Sequence, residues 1–150
     1  MAIQTSAGAT IAISASLPAT QDEAGYSGLT FDKIGEVESI GPYGITYNEV
    51  TYTALDNRRV RKFKGSYNPG NSDITLAIDR EDAGQTTAKA ARDSDAEYAF
   101  EITFQDGSID YYTGRVMSFT TNIAGVDNMT MGSMQIGINS DPVEVAAPAP

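Results

Sequence analysis

Carboxylate side chains occur in close pairs along the chain, and paired carboxylates are the residues here that could perform acid–base catalysis or bind a cation. The closest pairs are Glu36/Glu38, Asp79/Asp82, Glu81/Asp82 and Asp93/Asp95. A glycoside hydrolase needs two carboxylates that face each other across a cleft, one of them with a raised pKa. Asp79, Glu81 and Asp82 do not follow the ligand pattern of a calcium loop. We therefore interpret the pairs as solvated acidic surface and expect no catalytic and no metal-binding residues.

Other catalytic chemistry is restricted by the composition. The 150 residues contain no Cys and no His, which removes thiol chemistry, disulfides and the usual general base at neutral pH. No G-x-S-x-G nucleophile motif is present, and isolated glycines such as Gly107 and Gly114 form no phosphate-binding loop. The sequence therefore predicts no cofactor, and an enzyme is the least favoured class of function.

Basic residues are concentrated in one stretch. The formal net charge is −10, yet five of the ten basic residues lie close together, at Arg58, Arg59, Arg61, Lys62 and Lys64. An acidic body with one basic segment is a charge pattern that suits head-to-tail contact between copies of one protein. An ordinary solvated loop is the alternative interpretation. Nucleic-acid binding is disfavoured, because the acidic remainder of the chain would repel phosphate.

Alternating apolar residues predict the strands that must position these charged groups. Residues 73–79 alternate clearly, and the following strand carries large side chains on one face, at Tyr98, Phe100, Ile102 and Phe104. We expect the latter to be the best core strand. Further extended stretches are predicted at 10–16, 33–40, 45–55, 109–122 and 128–139. Residues 57–72 contain several turn residues and are predicted to be mostly loop.

One helix is predicted from about residue 81 to residue 92. Acidic residues in its first turn and Lys89 and Arg92 in its last turn suit the helix dipole. Its apolar side has only small side chains, which are Ala83, Ala90 and Ala91. The helix is therefore expected to pack closely on a sheet. The fold class that follows is mainly β, a β-sandwich or partly open barrel with one short flanking α-helix.

Aromatic and acidic residues mark two candidate surfaces. Tyrosines are frequent in and beside the loop-rich region, at Tyr43, Tyr47, Tyr52 and Tyr67, and such side chains suit protein interfaces. Glu36 and Glu38 share a face of the predicted strand 33–40. Long strands with a weakly polar second face fit a sheet that lines a wide, wet channel. The alternatives are packing under a long loop and the solvent face of an ordinary sandwich.

Several short motifs follow one another in a characteristic order. They are T-x-L-D at 53–56, K-G-S at 64–66, D-x-x-D-x-G-Q at 79–85, D-G at 106–107, G-x-V at 114–116 and V-D-N at 126–128. Over roughly residues 30 to 140, their order and spacing resemble those of the major tail tube protein of long, non-contractile phage tails. The resemblance lies in the succession of the motifs, since each motif alone has little specificity.

This resemblance implies a structural virion protein with the tail-tube fold rather than an enzyme. Six copies would form a ring, and rings would stack into the hollow tube that conducts phage DNA into the host. The implied inter-ring interface is a long loop at about 41–72, with the site residues Tyr43, Tyr47, Arg58, Arg59, Arg61, Lys62, Lys64 and Tyr67. The implied lumen strands are 33–40, 45–55, 109–122 and 128–139. Glu36, Glu38 and Asp110 are the lumen-facing candidates, because acidic groups would repel DNA phosphates.

The resemblance also implies the domain organisation and the partners. We expect one domain over residues 1–141 with an N-terminal arm, followed by a flexible Pro/Ala tail at 142–150. The implied partners are further copies of the chain, the tape measure protein, tail tip or initiator proteins, tail terminator proteins and, without sequence-specific binding, DNA in transit. No signal peptide or long apolar run is evident. We therefore expect no membrane partner, assembly in the host cytoplasm and residence in the virion.

Two other classes of function remain as alternatives. The tube protein of a bacterial secretion or contractile injection system would use the same ring assembly. A carbohydrate-binding or adhesin β-sandwich would be expected to have an export signal and exposed Trp. The sequence has no Trp and no convincing signal peptide, which disfavours the second alternative.

Overall fold

The computed structural model describes residues 3–147, which are mainly β, as predicted. In chain order the elements are β1 (Thr10–Ser14), α1 (Glu23–Ser27), β2 (Asp32–Ile34), β3 (Val37–Ile40), β4 (Thr46–Thr53), β5 (Val60–Asn68), β6 (Asn71–Ala77), α2 (Ala83–Arg92), β7 (Tyr98–Thr103), β8 (Ile109–Asn122), β9 (Met131–Ile138) and β10 (Val143–Val145). Eight strands form one sheet, whereas β4 and β5 form a separate two-stranded sheet. No helix in the described range is long and apolar enough to cross a membrane.

The large sheet curls until its two edges approach each other. Its order is β2-β1-β7-β8-β9-β6-β3, with β10 added to β8. The edge strands β2 and β3 are joined by only Gly35 and Glu36, so the two edges must lie close together. The result is a partly open barrel, in agreement with the predicted fold class.

The prediction of a single strand over residues 33–40 is wrong. Glu36 has a positive φ of 59°, which ends the extended conformation between β2 and β3. Its carbonyl oxygen accepts a hydrogen bond from the backbone N–H of Ala77 at 2.9 Å. The amide of Gly35 donates to the Asp82 carboxylate at 3.0 Å. These long-range bonds hold the corner at which the sheet closes.

Strand β8 is long enough to belong to both halves of the sheet. Residues 109–114 pair with β7, and residues 114–122 pair with β9. The exchange occurs at Gly114, where a Cβ atom would collide with the carbonyl oxygen of Gly137. Only glycine allows the two backbones to approach this closely.

The interior is filled by the apolar faces of the alternating strands. The predicted core strand is confirmed as β7, in which Phe100 and Ile102 are buried while Tyr98 and Phe104 pack partly buried against the core. The remaining strands contribute mainly aliphatic side chains, such as Ile11, Ile13, Ile74, Leu76, Met134 and Ile136. Burying a large apolar side chain contributes about 1.5–3 kcal/mol, so this cluster supplies the main stabilisation of the sheet.

Helix α2 forms within the predicted range. Its N-cap is Asp82, whose carboxylate accepts a hydrogen bond from the amide of Gln85 at 2.9 Å. The prediction that Ala83 and Ala90 pack against the sheet is wrong, because both are exposed. The buried face instead contains Gly84, Gln85, Ala88 and Ala91. The predicted small face therefore holds only for Ala91.

A buried glutamine anchors the start of α2. Its side-chain NH2 donates to the carbonyl oxygens of Gly35 at 3.1 Å and Ala77 at 2.9 Å. Its side-chain oxygen accepts from the amide of Asp79 at 3.0 Å. Gln85 thus satisfies backbone groups at the sheet corner, which explains why a polar residue occupies this buried position.

The segment predicted as loop contains an extended strand. Residues 60–68 form β5, which pairs antiparallel with β4. The turn residues Gly65 and Ser66, which favoured a loop, lie at the register shift between the pairs Tyr47/Tyr67 and Glu49/Lys64. At the C-terminal end, residues 143–145 form β10 on β8, although 142–150 was expected to be a flexible tail. Residues 1–2 and 148–150 lie outside the described range.

Candidate functional site

The β4–β5 hairpin, residues 46–68, projects from the barrel as a ribbon of two strands. Every residue of β4 is exposed, as is every residue of β5 except the half-buried Gly65. At about 3.3 Å per residue, eight residues reach roughly 26 Å. An isolated two-stranded hairpin is only marginally stable in water. A ribbon of this length therefore suggests a surface that another molecule covers.

One face of the hairpin is apolar. Val50 lies opposite Phe63, and Tyr52 lies opposite Arg61. Val50, Tyr52 and Phe63 are 50%, 58% and 56% exposed, respectively. Side chains two residues apart on a strand point to the same side, so these apolar groups form one continuous patch beside the Arg61 guanidinium. Contiguous exposed apolar surface is typical of protein interaction sites.

The opposite face carries two lysines and one glutamate among tyrosine and threonine side chains. Lys64 lies opposite Glu49 in the register, and its ammonium group is 4.7 Å from the centroid of the Tyr47 ring. Lys62 forms an ion pair with Glu49 at 3.6 Å. This pair is solvent-exposed and contributes little to stability. The Tyr47 and Tyr67 rings pack together, with centroids 5.3 Å apart.

The five predicted basic residues are thus brought together in the hairpin but not on one face. Lys62 and Lys64 lie on the face that carries Tyr47, whereas Arg61 lies on the apolar face. Arg58 and Arg59 lie in the turn between the strands. Arg58 has a positive φ of 54°, and its amide donates to the Ala54 carbonyl at 3.0 Å. Positive charge therefore extends from the middle of the hairpin to its tip.

Tyr43 lies at the root of the hairpin rather than on its exposed surface. Its ring is half-buried and packs on the Tyr112 ring, with centroids 5.6 Å apart. Its hydroxyl donates a hydrogen bond to the carboxylate of Asp110. A residue predicted for the inter-ring interface and one predicted for the lumen therefore contact each other. This contact attaches the hairpin to β8.

Asp110 occupies a half-buried position in an acidic environment. Burial raises its pKa, the hydrogen bond from Tyr43 lowers it, and the charge of Glu144 raises it, with a raised pKa as the net result. Glu144 lies directly opposite Asp110 in the β8–β10 ladder. Burial is also the main cause of the raised pKa of Tyr43, with a smaller contribution from Asp110.

Glu36 and Glu38 are both exposed, but they do not lie on one regular strand. Glu36 forms the corner between β2 and β3, and Glu38 lies at a register shift between Val37 and Ser39. Glu38 also borders a half-open groove of about 550 Å³ beneath the N-terminal segment 4–9. The strand alternation that placed the two carboxylates on a common face is therefore interrupted.

A polar sheet face combines the predicted lumen strand 128–139 with β6, which was not recognised from the sequence as a lumen candidate. Asp73 on β6 lies opposite Gln135 on β9, and the Gln135 side-chain amide donates to the Asp73 carboxylate at 3.2 Å. Ser133 and Thr75 continue this face on the same two strands. Polar residues alternate in both segments, 73–79 and 128–139, but only the sheet order shows that the two strands are neighbours. Within residues 3–147, no group of three or more acidic side chains is placed to hold a metal ion.

Backbone edges suitable for pairing with another chain are also present. Beyond Gly114, β8 pairs with β9 on one side, while its pairing with β7 ends at that residue. Strand β3 pairs only with β6 among the described strands. Unpaired strand edges favour addition of a strand from another molecule. The strand edges and the exposed hairpin together offer backbone and side-chain surfaces for contact with another chain.

The family comparison identifies the kind of protein. The sequence family described as the lambda phage tail tube protein (TTP) matches residues 19–143. The chain belongs to this family. It is therefore a tail tube protein, a structural component of the phage virion, and the resemblance stated from the sequence is confirmed.

Solved structures of related assemblies share the fold. A chain of the SPP1 tail tube superimposes with a TM-score of 0.65 and 14% identity, covering 92% of this chain and 76% of that one. A chain of the sheath/tube terminator of the extracellular contractile injection system PVC has a TM-score of 0.66 at 9% identity, with 96% and 97% coverage. A chain of the anti-feeding prophage baseplate has a TM-score of 0.67 at 6% identity, with 99% coverage of each. No curated protein sequence matches the chain.

Proposed function

We propose that copies of this chain close into six-membered rings, and that the β4–β5 hairpin joins each ring to the next in a hollow tube. The observation that carries this proposal is the hairpin itself, which exposes an apolar face and a lysine-bearing face over roughly 26 Å. The rest of the protein is strongly acidic. A cationic ribbon on an acidic body favours contact between copies over contact within one copy.

Ring closure would use the unpaired edges of the sheet. The edge of β8 beyond Gly114 and the edge of β3 belong to the same curled sheet. Pairing of one copy's β8 edge with the next copy's β3 edge would continue the sheet around the ring. Such pairing would give a partner strand to two strand edges that have none on that side within one copy, and edges without a partner favour aggregation.

The lumen in this arrangement would be lined by the outer face of the β6–β9 region. Asp73, Thr75, Ser133 and Gln135 give that face small, polar side chains. We propose that such a surface, together with the net negative charge, lets DNA pass without binding, because acidic groups repel phosphates. In this proposal Glu36 and Glu38 lie at the sheet corner. Asp110 binds Tyr43 at the hairpin root instead of lining the channel.

Other partners follow from the ends and the interior of such a tube. A tape measure protein would occupy the lumen during assembly in the host cytoplasm, and initiator and terminator proteins would cap the tube. The likeness of this fold to chains of a PVC sheath/tube terminator and an anti-feeding prophage baseplate supports caps built on the same fold. The proposed role requires no catalysis and no cofactor.

A double charge reversal tests the role of the hairpin. Arg59→Glu with Lys62→Glu should abolish tubes in negative-stain electron microscopy while the purified protein remains folded, because the cationic surface is lost. The matched control, Arg59→Lys with Lys62→Arg, retains both charges and should form tubes. Normal tubes from the Glu variant would refute the role assigned to the hairpin.

The second candidate function is the tube of a contractile injection system. The PVC and anti-feeding prophage likenesses favour it, since their TM-scores equal that of the SPP1 tail tube within 0.02. A contractile system surrounds its tube with a sheath, whereas the non-contractile tail proposed here leaves the tube bare. Micrographs of purified particles distinguish the two, because a sheath-covered tube would support the second candidate.

A further inference from the structure

The hairpin and the β8–β9 turn, residues 123–130, lie at opposite ends of the same ladder of strands. At the hairpin end, the amide of Ile138 donates to the carbonyl of Gly70 at 3.0 Å. From there β8 and β9 pair continuously from Gly114/Ile138 to Asn122/Met131, apart from one register shift. Nine residues of strand span roughly 30 Å. In a stack of identical copies aligned along this ladder, a hairpin that leaves one end would face the opposite end of the next copy.

The β8–β9 turn presents an exposed apolar surface at that opposite end. Ile123 and Met129 are each 71% exposed, and Val126 is fully exposed. The turn has a defined backbone, since the amide of Asn128 donates to the carbonyl of Gly125 at 3.1 Å. Three large apolar side chains in a short turn, without cover from the described residues, suggest contact with another molecule.

The charges around the turn are mainly negative. Asp127 lies in the turn itself. The amide of Ile78 donates to the carbonyl of Thr130 at 3.0 Å. This hydrogen bond brings the exposed side chains of Asp79 and Glu81 to the same end, together with the cation of Arg80. The turn is therefore an apolar surface with a predominantly acidic border.

The tip of the hairpin has the complementary character. Leu55 is fully exposed and Val60 is 54% exposed. Two cations, Arg58 and Arg59, and one acid, Asp56, lie between these two apolar side chains in the sequence. An apolar tip with a basic border matches an apolar turn with an acidic border in both polarity and charge. This match indicates that the molecule covering the turn is a second copy of this chain.

We propose that the β8–β9 turn of one copy receives the tip of the β4–β5 hairpin from a copy in the adjacent ring. Leu55 packs among Ile123, Val126 and Met129, while Arg58 and Arg59 face the acidic border of the turn. This inference rests on the proposed stacking function and adds the surface on which the hairpin docks. The interface is heterologous, so it repeats from ring to ring along the tube.

A charge exchange between the two ends tests the pairing. Reversal at the turn, Glu81→Lys with Asp127→Lys, should abolish tubes, as should Arg58→Glu with Arg59→Glu at the tip. Combining all four substitutions should recover tubes, because the charges again oppose each other. A control reversal of two exposed acids elsewhere, Glu23→Lys with Asp95→Lys, should leave tubes intact. Tubes that persist in the turn variant, or a failure of the combination to recover them, would overturn the pairing.

Cysteine cross-linking provides a readout that does not depend on charge. Because the chain has no native Cys, Leu55→Cys with Val126→Cys places one thiol at each surface. Oxidation of tubes, taken from virions or assembled from concentrated protein, should give a ladder of covalent multimers on a non-reducing gel. The control pair Leu55→Cys with Leu17→Cys should give no ladder.

The outcomes separate this inference from the proposed function. Tubes that form but give no 55–126 ladder would overturn the docking surface and leave ring stacking intact. A ladder from the control pair that equals the 55–126 ladder would overturn it as well. Absence of tubes from the wild-type protein, in virions and at high concentration, would refute the proposed function together with this inference.

Discussion

The curled sheet and the β4–β5 hairpin are both built from antiparallel strands but differ in the burial of their side chains. In β6 the alternate residues Ile74 and Leu76 are buried, so one face is covered by the protein itself. In β4 and β5 both faces remain exposed, including the aromatic side chain of Phe63. The sheet is therefore stabilised within one copy, whereas the hairpin has apolar surface that only another molecule can cover.

The largest expected difference between the two regions is in stability. Phe100→Ala in β7 should lower the free energy of unfolding of the monomer by about 3–5 kcal/mol, because Phe100 is fully buried. Phe63→Ala in the hairpin should change it by less than about 0.5 kcal/mol, as is usual for exposed positions. Urea denaturation of both variants measures the two values. Similar losses would show that the hairpin belongs to the folding core.

A smaller difference in stability is expected between the buried and the exposed face of helix α2. Ala91 is fully buried and Ala90 is exposed. Ala91→Trp should therefore lower the free energy of unfolding by about 1–3 kcal/mol through overpacking. Ala90→Trp, one residue away, should have little effect. Equal melting temperatures of the two variants would contradict the observed helix orientation.

The smallest expected effect is a pH dependence at the hairpin root. Burial first, and Glu144 next, raise the pKa of Asp110. A carboxyl whose folded pKa is raised binds more protons in the folded than in the unfolded state. Its contribution to the free energy of unfolding is fully present below the unfolded pKa of about 3.9 and is lost as pH rises through the folded pKa. The stability of wild type relative to Asp110→Asn should therefore fall as pH rises above about 4.

Asp106 is the matched control for this pH dependence. Its hydrogen bonds with Ser108 lower its pKa, so its contribution is present above the unfolded pKa and is lost as pH falls. The stability of wild type relative to Asp106→Asn should therefore rise with pH, opposite to the trend for Asp110. Thermal melts between pH 3 and 7 measure both slopes, and slopes of the same sign would contradict the assignment at Asp110.

Sequence patterns predicted the helix and strands that are determined by residues close together in the sequence. The charges near the two ends of α2 and the apolar alternation of β7 placed these elements close to their observed bounds. Residues 60–68 were predicted as loop because they contain turn residues such as Gly65, whereas pairing with β4 makes them a strand. The corner at Glu36 depends on a hydrogen bond with Ala77, far away in the sequence. No local signal could show it.

In the candidate site, too, features with a local cause could be predicted and long-range contacts could not. The basic cluster is contiguous in sequence, so residues 58–64 could be recognised as one basic segment, but only the strand register shows how its side chains divide between the two faces. The contact of Tyr43 with Asp110 joins residues 67 positions apart, and it became visible only in the fold. Likewise, the acidic border at Asp79 and Asp127 depends on the closeness of Ile78 to Thr130.

A cryo-electron microscopy reconstruction of the assembled tube tests most directly the claim that the hairpin is covered by another copy. Density for residues 46–68 should cross into the adjacent ring, with Leu55 against the β8–β9 turn of that ring. A hairpin that folds back on its own barrel, or that projects into solvent outside the tube, would contradict the claim.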